Sequence, residues 1–109
     1  MAEHSLLVRF DADLLDLRAR IDTLDVMLLK LVAERCALVK RVQRLKRDNG
    51  RPVRCRSREQ EIFARARMLG RRLGIAEEDA VGVMKNAIDC CLRTAGVAMT
   101  DGLREDGDT

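Results

Sequence analysis

The sequence contains no tryptophan and no tyrosine, and its aromatic content is two phenylalanines, Phe10 and Phe63. Single-stranded nucleic acids are held by stacking bases on aromatic faces along a basic groove, so one of the two requirements is nearly missing. The other is weak. Against 18 acidic residues stand 21 basic ones, for a formal charge of +3, and cations interspersed with carboxylates make a poor track for a phosphate backbone. No nucleic-acid partner is expected. The chain has one histidine, His4, near a terminus where fraying is expected. Covalent and acid/base catalysis usually set a nucleophile beside a base, or two carboxylates at separated pKa values, and few such groups are present. There is no glycine-rich phosphate loop and no metal-ligand cluster, so neither a metal nor a cofactor is expected. No apolar run approaches the ~18 residues that span a bilayer, no signal peptide is visible, and no membrane association is expected.

The four cysteines, Cys36, Cys55, Cys90 and Cys91, do not fall at zinc-type spacings. Long amphipathic segments make a disulfide scaffold unnecessary. They read as reduced thiols of a cytoplasmic protein.

The single proline, Pro52, lies outside a stretch from about Asp13 to Arg47 that also lacks glycine. Within it Leu14, Leu17, Ile21, Leu24, Leu28, Leu31, Leu38, Val42 and Leu45 keep a heptad-like seam, interrupted by Arg35. A helix of ~35 residues is roughly 52 Å long at ~1.5 Å per residue, too long for a compact domain of this size. Such a helix calls for a second copy, and the expected assembly is an intertwined homodimer.

Asp48, Asn49 and Gly50 end the first helix. Ser57 and Gln60 have the form of a capping box, so a second helix is expected from Arg58 to Leu73, burying Ile62, Ala66, Leu69 and Leu73. Glu77, Glu78 and Asp79 suit the positive end of a third helix dipole. Its apolar face is Ala80, Met84, Ala87, Ile88, Cys91 and Ala95, with Gly96 as terminator. The fold class is all-α: a three-helix domain over 13–96, an N-terminal extension at 1–12 and a flexible C-terminal tail at 97–109.

A guanidinium on an apolar seam is costly unless an anion meets it. Arg35 has two readings, a buried ion pair with a neighbouring helix or a grip on a small anionic ligand. Lys46, eleven residues on, is rotated from Arg35 by only ~20° and displaced by roughly 16 Å along the helix. It is either a solvated helix-end lysine or the second arm of that grip. Arg18 lies some 25 Å from Arg35 along the axis, so it would serve a partner's pocket in an antiparallel dimer. With Arg58 at the start of the second helix, these cations outline a site for a compact dicarboxylate, since each arginine can hold a carboxylate bidentately. Arg51, Arg54 and Arg56 are expected to stay solvated.

The stretch "LRARIDTLDVMLLKLVAERCALVKRVQRLK", followed by "RPVRCRSREQE", resembles the all-helical chorismate mutases over roughly Leu14 to Ala95. The resemblance implies an intertwined dimer and a Claisen rearrangement of chorismate to prephenate without cofactor or metal. It implies Arg18 reaching across subunits to one substrate carboxylate and Arg35 holding a carboxylate from its own subunit. Lys46 would donate to the ether oxygen, Arg58 would line the carboxylate end, and Glu59 would accept from the ring substituent.

Three positions depart from the family pattern. Cys55 stands where an aspartate is common, Cys91 where a serine is frequent, and Ala95 where a glutamine or glutamate gives the ether oxygen its second hydrogen bond. These departures keep 4-amino-4-deoxychorismate open as an alternative substrate, in a specialised, antibiotic-forming pathway. An isochorismate pyruvate lyase and a non-catalytic helical dimer rank lower.

Overall fold

The computed structural model describes residues 2–97, which form three α-helices: α1 (Ala2–Asp48), α2 (Arg56–Leu73) and α3 (Glu77–Thr94). The all-α expectation holds. The expected tail lies, beyond Val97, outside the described residues.

The helix α1 starts at Ala2 rather than near Asp13, taking in His4. Nothing between Ala2 and Asp13 is a glycine or proline, so no residue there breaks the helical hydrogen-bond pattern.

The described residues divide into two compact units, the first ending at Ala33 and the second beginning at Glu34. In the first, the seam residues Leu17, Ile21, Leu24, Leu28 and Leu31 are each at least half exposed. An apolar ladder in water forfeits about 25 cal/mol per Å² that burial would recover.

The second unit holds the last turns of α1 together with α2 and α3. α1 stops in a Schellman turn: Arg51 donates to the Lys46 carbonyl at 2.7 Å and Gly50 to the Arg47 carbonyl at 3.2 Å. Gly50 takes φ 67°, a left-handed conformation that a side chain would strain. The turn directs 51–55 back along the helix it has just left.

The N-cap of α2 is Cys55, not the expected Ser57, and its Sγ accepts from the Arg58 N–H at 3.4 Å. α2 therefore begins two residues earlier than the capping-box pattern suggested. Its buried stripe is also rotated: Glu59, Phe63, Ala66 and Gly70 face inward, whereas Leu69 and Leu73 stay exposed. Gly70 explains the rotation. A Cβ there would come within 3.0 Å of both Ala80 Cβ and the Ile75 carbonyl, so the bare backbone lets α2 close against the start of α3. On α3, Val81, Ile88, Cys91 and Leu92 are buried, while Ala95, expected on the apolar face, is the half-buried C-cap. Phe63, Ala66, Val81, Ile88 and Leu92 form the core, and Val39 of α1 packs against it.

Candidate active site

Within the second unit a cavity of about 290 Å³ opens between the end of α1, the 51–55 turn, α2 and α3. That is near the lower end of ligand-pocket volumes, suited to a compact molecule. α1 supplies Arg35, Leu38, Val39, Val42, Gln43 and Lys46, which recur at spacings of three and four and therefore share one face. The turn supplies Val53, Arg54 and Cys55, α2 supplies Arg58, Glu59 and Ile62, and α3 closes the back with Ile88 and Leu92.

Arg35 and Lys46 thus meet at one cavity. Among the described residues neither forms an ion pair with a carboxylate. The internal ion pair considered for Arg35 is not formed within the described residues. Arg35 also lines a second cavity, of about 220 Å³, with Arg58, Arg65 and Leu69. The Lys46 ammonium lies 3.4 Å from the Val53 carbonyl, to which the Gln43 amide donates at 2.8 Å. Two donors from successive turns of α1 therefore converge on one oxygen. The Gln43 Oε1 is buried and has no partner, a polar atom whose desolvation nothing offsets among the described residues.

Arg54 corrects an expectation. It is not solvated: its side chain is 13% exposed, and it grips the buried Glu59 with Nε–Oε2 at 2.6 Å and Nη2–Oε1 at 2.9 Å. Asp89 stands 3.6 Å from the same guanidinium. The hydrogen bond to Glu59 is the main reason that the Arg54 pKa is raised above the ordinary arginine value, outweighing the lowering effect of burial. Arg56, on the exposed side, approaches the Glu59 carboxylate at 3.7 Å.

Arg58 lines the cavity while its Nη1 pairs with Glu61 at 3.1 Å in a solvent-exposed contact. Such a pair is held by little free energy, which leaves the guanidinium available to a ligand. Cys55 is in the wall, its Sγ engaged by the cap of α2. Cys91 and Ala95 do not line the cavity: Cys91 is fully buried behind it, and Ala95 ends α3. Arg18 is exposed on α1 in the first unit.

Arg54 and Gln43 were missed from the sequence. Gln43 could have been found, because it precedes Lys46 by three residues and shares its helix face. Arg54 could not: its partner lies across a helix N-terminus, where no fixed periodicity relates side chains. Among the described residues no cluster of three or more His, Cys, Asp or Glu could hold a metal, and no helix is long and apolar enough to cross a membrane.

The family described as chorismate mutase type II matches residues 17–95. The chorismate mutase of Methanocaldococcus jannaschii is 33% identical over 76 residues, covering 70% of this chain and 77% of that protein. The bifunctional chorismate mutase/prephenate dehydratase of Aquifex aeolicus is 32% identical over 83 residues, covering 73% of this chain but only 23% of the longer protein. No solved structure matches. The matched span holds the last two-thirds of α1 and all of α2 and α3, the elements that build the cavity, and on that footing the chain belongs to the chorismate mutase type II family.

Proposed function

We propose that this protein is an isomerase of the chorismate mutase type, converting chorismate to prephenate. The observation that carries the reading is the meeting of Arg35 and Lys46 at one small cavity without a carboxylate partner for either among the described residues. Unpaired cations at a protein surface of mixed charge fit an anionic ligand that neutralises them. Arg35 holds one substrate carboxylate, Arg18 of the partner subunit reaches the other, Arg58 lines the carboxylate end, and Lys46 donates to the ether oxygen as its bond to carbon breaks. A pericyclic step requires no nucleophile. It is accelerated by holding a folded conformer and by placing donors where charge develops.

Ala95 cannot supply a second donor at the ether oxygen. Gln43 takes that place in this reading: its amide shares an acceptor with Lys46, so a substrate oxygen near the ammonium is also near the amide. At the other end Glu59 already receives two hydrogen bonds from Arg54. Its remaining lone pairs suit a neutral hydroxyl, which favours chorismate. Asp89 favours the second reading, 4-amino-4-deoxychorismate. With two carboxylates sharing Arg54, the cluster can accept an ammonium.

The functional unit in this reading is a homodimer. The exposed ladder of α1 is its interface and Arg18 enters the partner's site. The test is to assay the purified chain with chorismate, its 4-amino analogue and isochorismate side by side, following each product by NMR. Rearrangement of chorismate is expected. Pyruvate release from isochorismate, or tight binding of a dicarboxylate transition-state mimic without turnover of any substrate, would replace the reading by a lyase or by a non-catalytic dimer.

A further inference from the structure

We propose that Cys36 and Cys91 form an oxidation site: a thiol pair that closes reversibly to a disulfide and ties the end of α1 to α3 behind the cavity. Their Sγ atoms lie 3.0 Å apart although the residues are separated by 55 positions. Both are buried, Cys36 6% exposed and Cys91 not at all, and both are free thiols. A lone buried cysteine is an inert small hydrophobe. A pair in contact differs, because each sulfur is the resolving partner of the other.

A disulfide needs its sulfurs at ~2.05 Å, so closure asks for an approach of about 1 Å, within reach of small side-chain adjustments. The other cysteines lack this arrangement. Cys55 faces Ser57 and the Arg58 N–H, and Cys90 has no sulfur neighbour within hydrogen-bonding distance among the described residues. The link would also join two cavity walls, since Arg35 precedes Cys36, Leu92 follows Cys91, and both line the cavity.

Hydrogen peroxide is an oxidant small enough to enter when helix packing opens locally. The Cys36 sulfur, the more exposed, attacks the peroxide O–O bond; one oxygen becomes the sulfenic acid and the other leaves as water. The Cys91 sulfur then attacks the Cys36 sulfur, the S–O bond breaks and a second water departs. Two thiols and one peroxide give one disulfide and two waters, sulfur being oxidised by two electrons and peroxide oxygen reduced by two. A dithiol reductant reverses the step by exchange.

The test treats the full chain with one equivalent of hydrogen peroxide, blocks residual thiols and maps the peptides. The expected result is a fall from four free thiols to two, a peptide joining Cys36 to Cys91 within one chain, and complete reversal by dithiothreitol. Because the link closes a long loop, the melting temperature should rise by about 10 °C or more. Four thiols remaining, a link through Cys55 or Cys90, a link between chains, or a link that leaves the melting temperature unchanged would each overturn the proposal. C36S and C91S should each abolish the link. Should either fail to fold, the mapping on the unaltered chain decides alone, and none of these readouts depends on turnover.

Discussion

Arg54 holds both oxygens of Glu59, at 2.6 and 2.9 Å, across the N-terminus of α2. The two residues are 13% and 9% exposed in their side chains, so the pair is desolvated and each charge depends on the other. Without Arg54 the buried Glu59 carboxylate keeps the longer contact to Arg56 at 3.7 Å but loses its two short hydrogen bonds, and breaking a buried pair in this way costs about 3 kcal/mol. Arg54→Met should therefore lower stability by roughly that amount in urea denaturation. A midpoint unchanged from the parent would show that Arg56 and water together suffice for Glu59 without Arg54. Arg54→Lys should not restore the loss, since an ammonium cannot reproduce two parallel hydrogen bonds.

Lys46 and its hydrogen-bond neighbour separate binding from chemistry. In the proposed reaction its ammonium meets charge that develops mainly in the transition state, so Lys46→Ala should reduce kcat by about 100-fold or more. The Michaelis constant should change far less. Steady-state kinetics reporting the opposite split would move Lys46 from the ether oxygen to a carboxylate.

Gly70 tests the packing of α2 against the start of α3. Its absent Cβ is what allows Ala80 and the Ile75 carbonyl to approach within 3.0 Å of the Cβ position. Gly70→Ala should overpack the junction and cost about 1–3 kcal/mol. A gain in thermal stability, the usual outcome of glycine to alanine in an uncrowded helix, would mean that α3 moves aside easily.

Much of this arrangement was legible in the sequence because helices obey a fixed period. The seam of α1, the Arg35 and Lys46 face, and two terminating glycines, Gly50 and Gly96, follow from residue type and spacing, and both glycines take positive φ. What was not legible depends on close approach between elements. The rotation of α2 toward Phe63 and Gly70 is decided by backbone contact with α3, and Arg54 turns inward because Glu59 and Asp89 are brought to it from two helices. Periodicity assigned Cys91 to an apolar face correctly, but it could not show that Cys36 would meet it.

Gln43 should be a contributor that a generic family pattern would not flag. If its amide assists at the ether oxygen in place of Ala95, Gln43→Leu lowers kcat by roughly 10- to 100-fold. The unpaired Oε1 disappears in the same substitution together with the 2.8 Å hydrogen bond to the Val53 carbonyl, so the two effects offset and stability should change by about 1 kcal/mol or less. A loss of both activity and stability in matched kinetic and thermal measurements would identify Gln43 as a strut for the Val53 turn instead.

The sharing of sites between subunits gives a mixing experiment with an arithmetic answer. R18A and R35A chains should each be inactive alone. In a dimer of one chain of each kind, a site that takes Arg35 from one subunit and Arg18 from the other has one complete copy and one doubly defective copy. Random exchange makes half of the dimers mixed, so equal mixing should restore about a quarter of the parent activity. If both arginines instead served a site within one chain, every site in the mixed dimer would carry one substitution and no activity would return. The exposed ladder from Leu17 to Leu31 would then need another explanation, and Arg18 would lose its proposed place opposite Arg35.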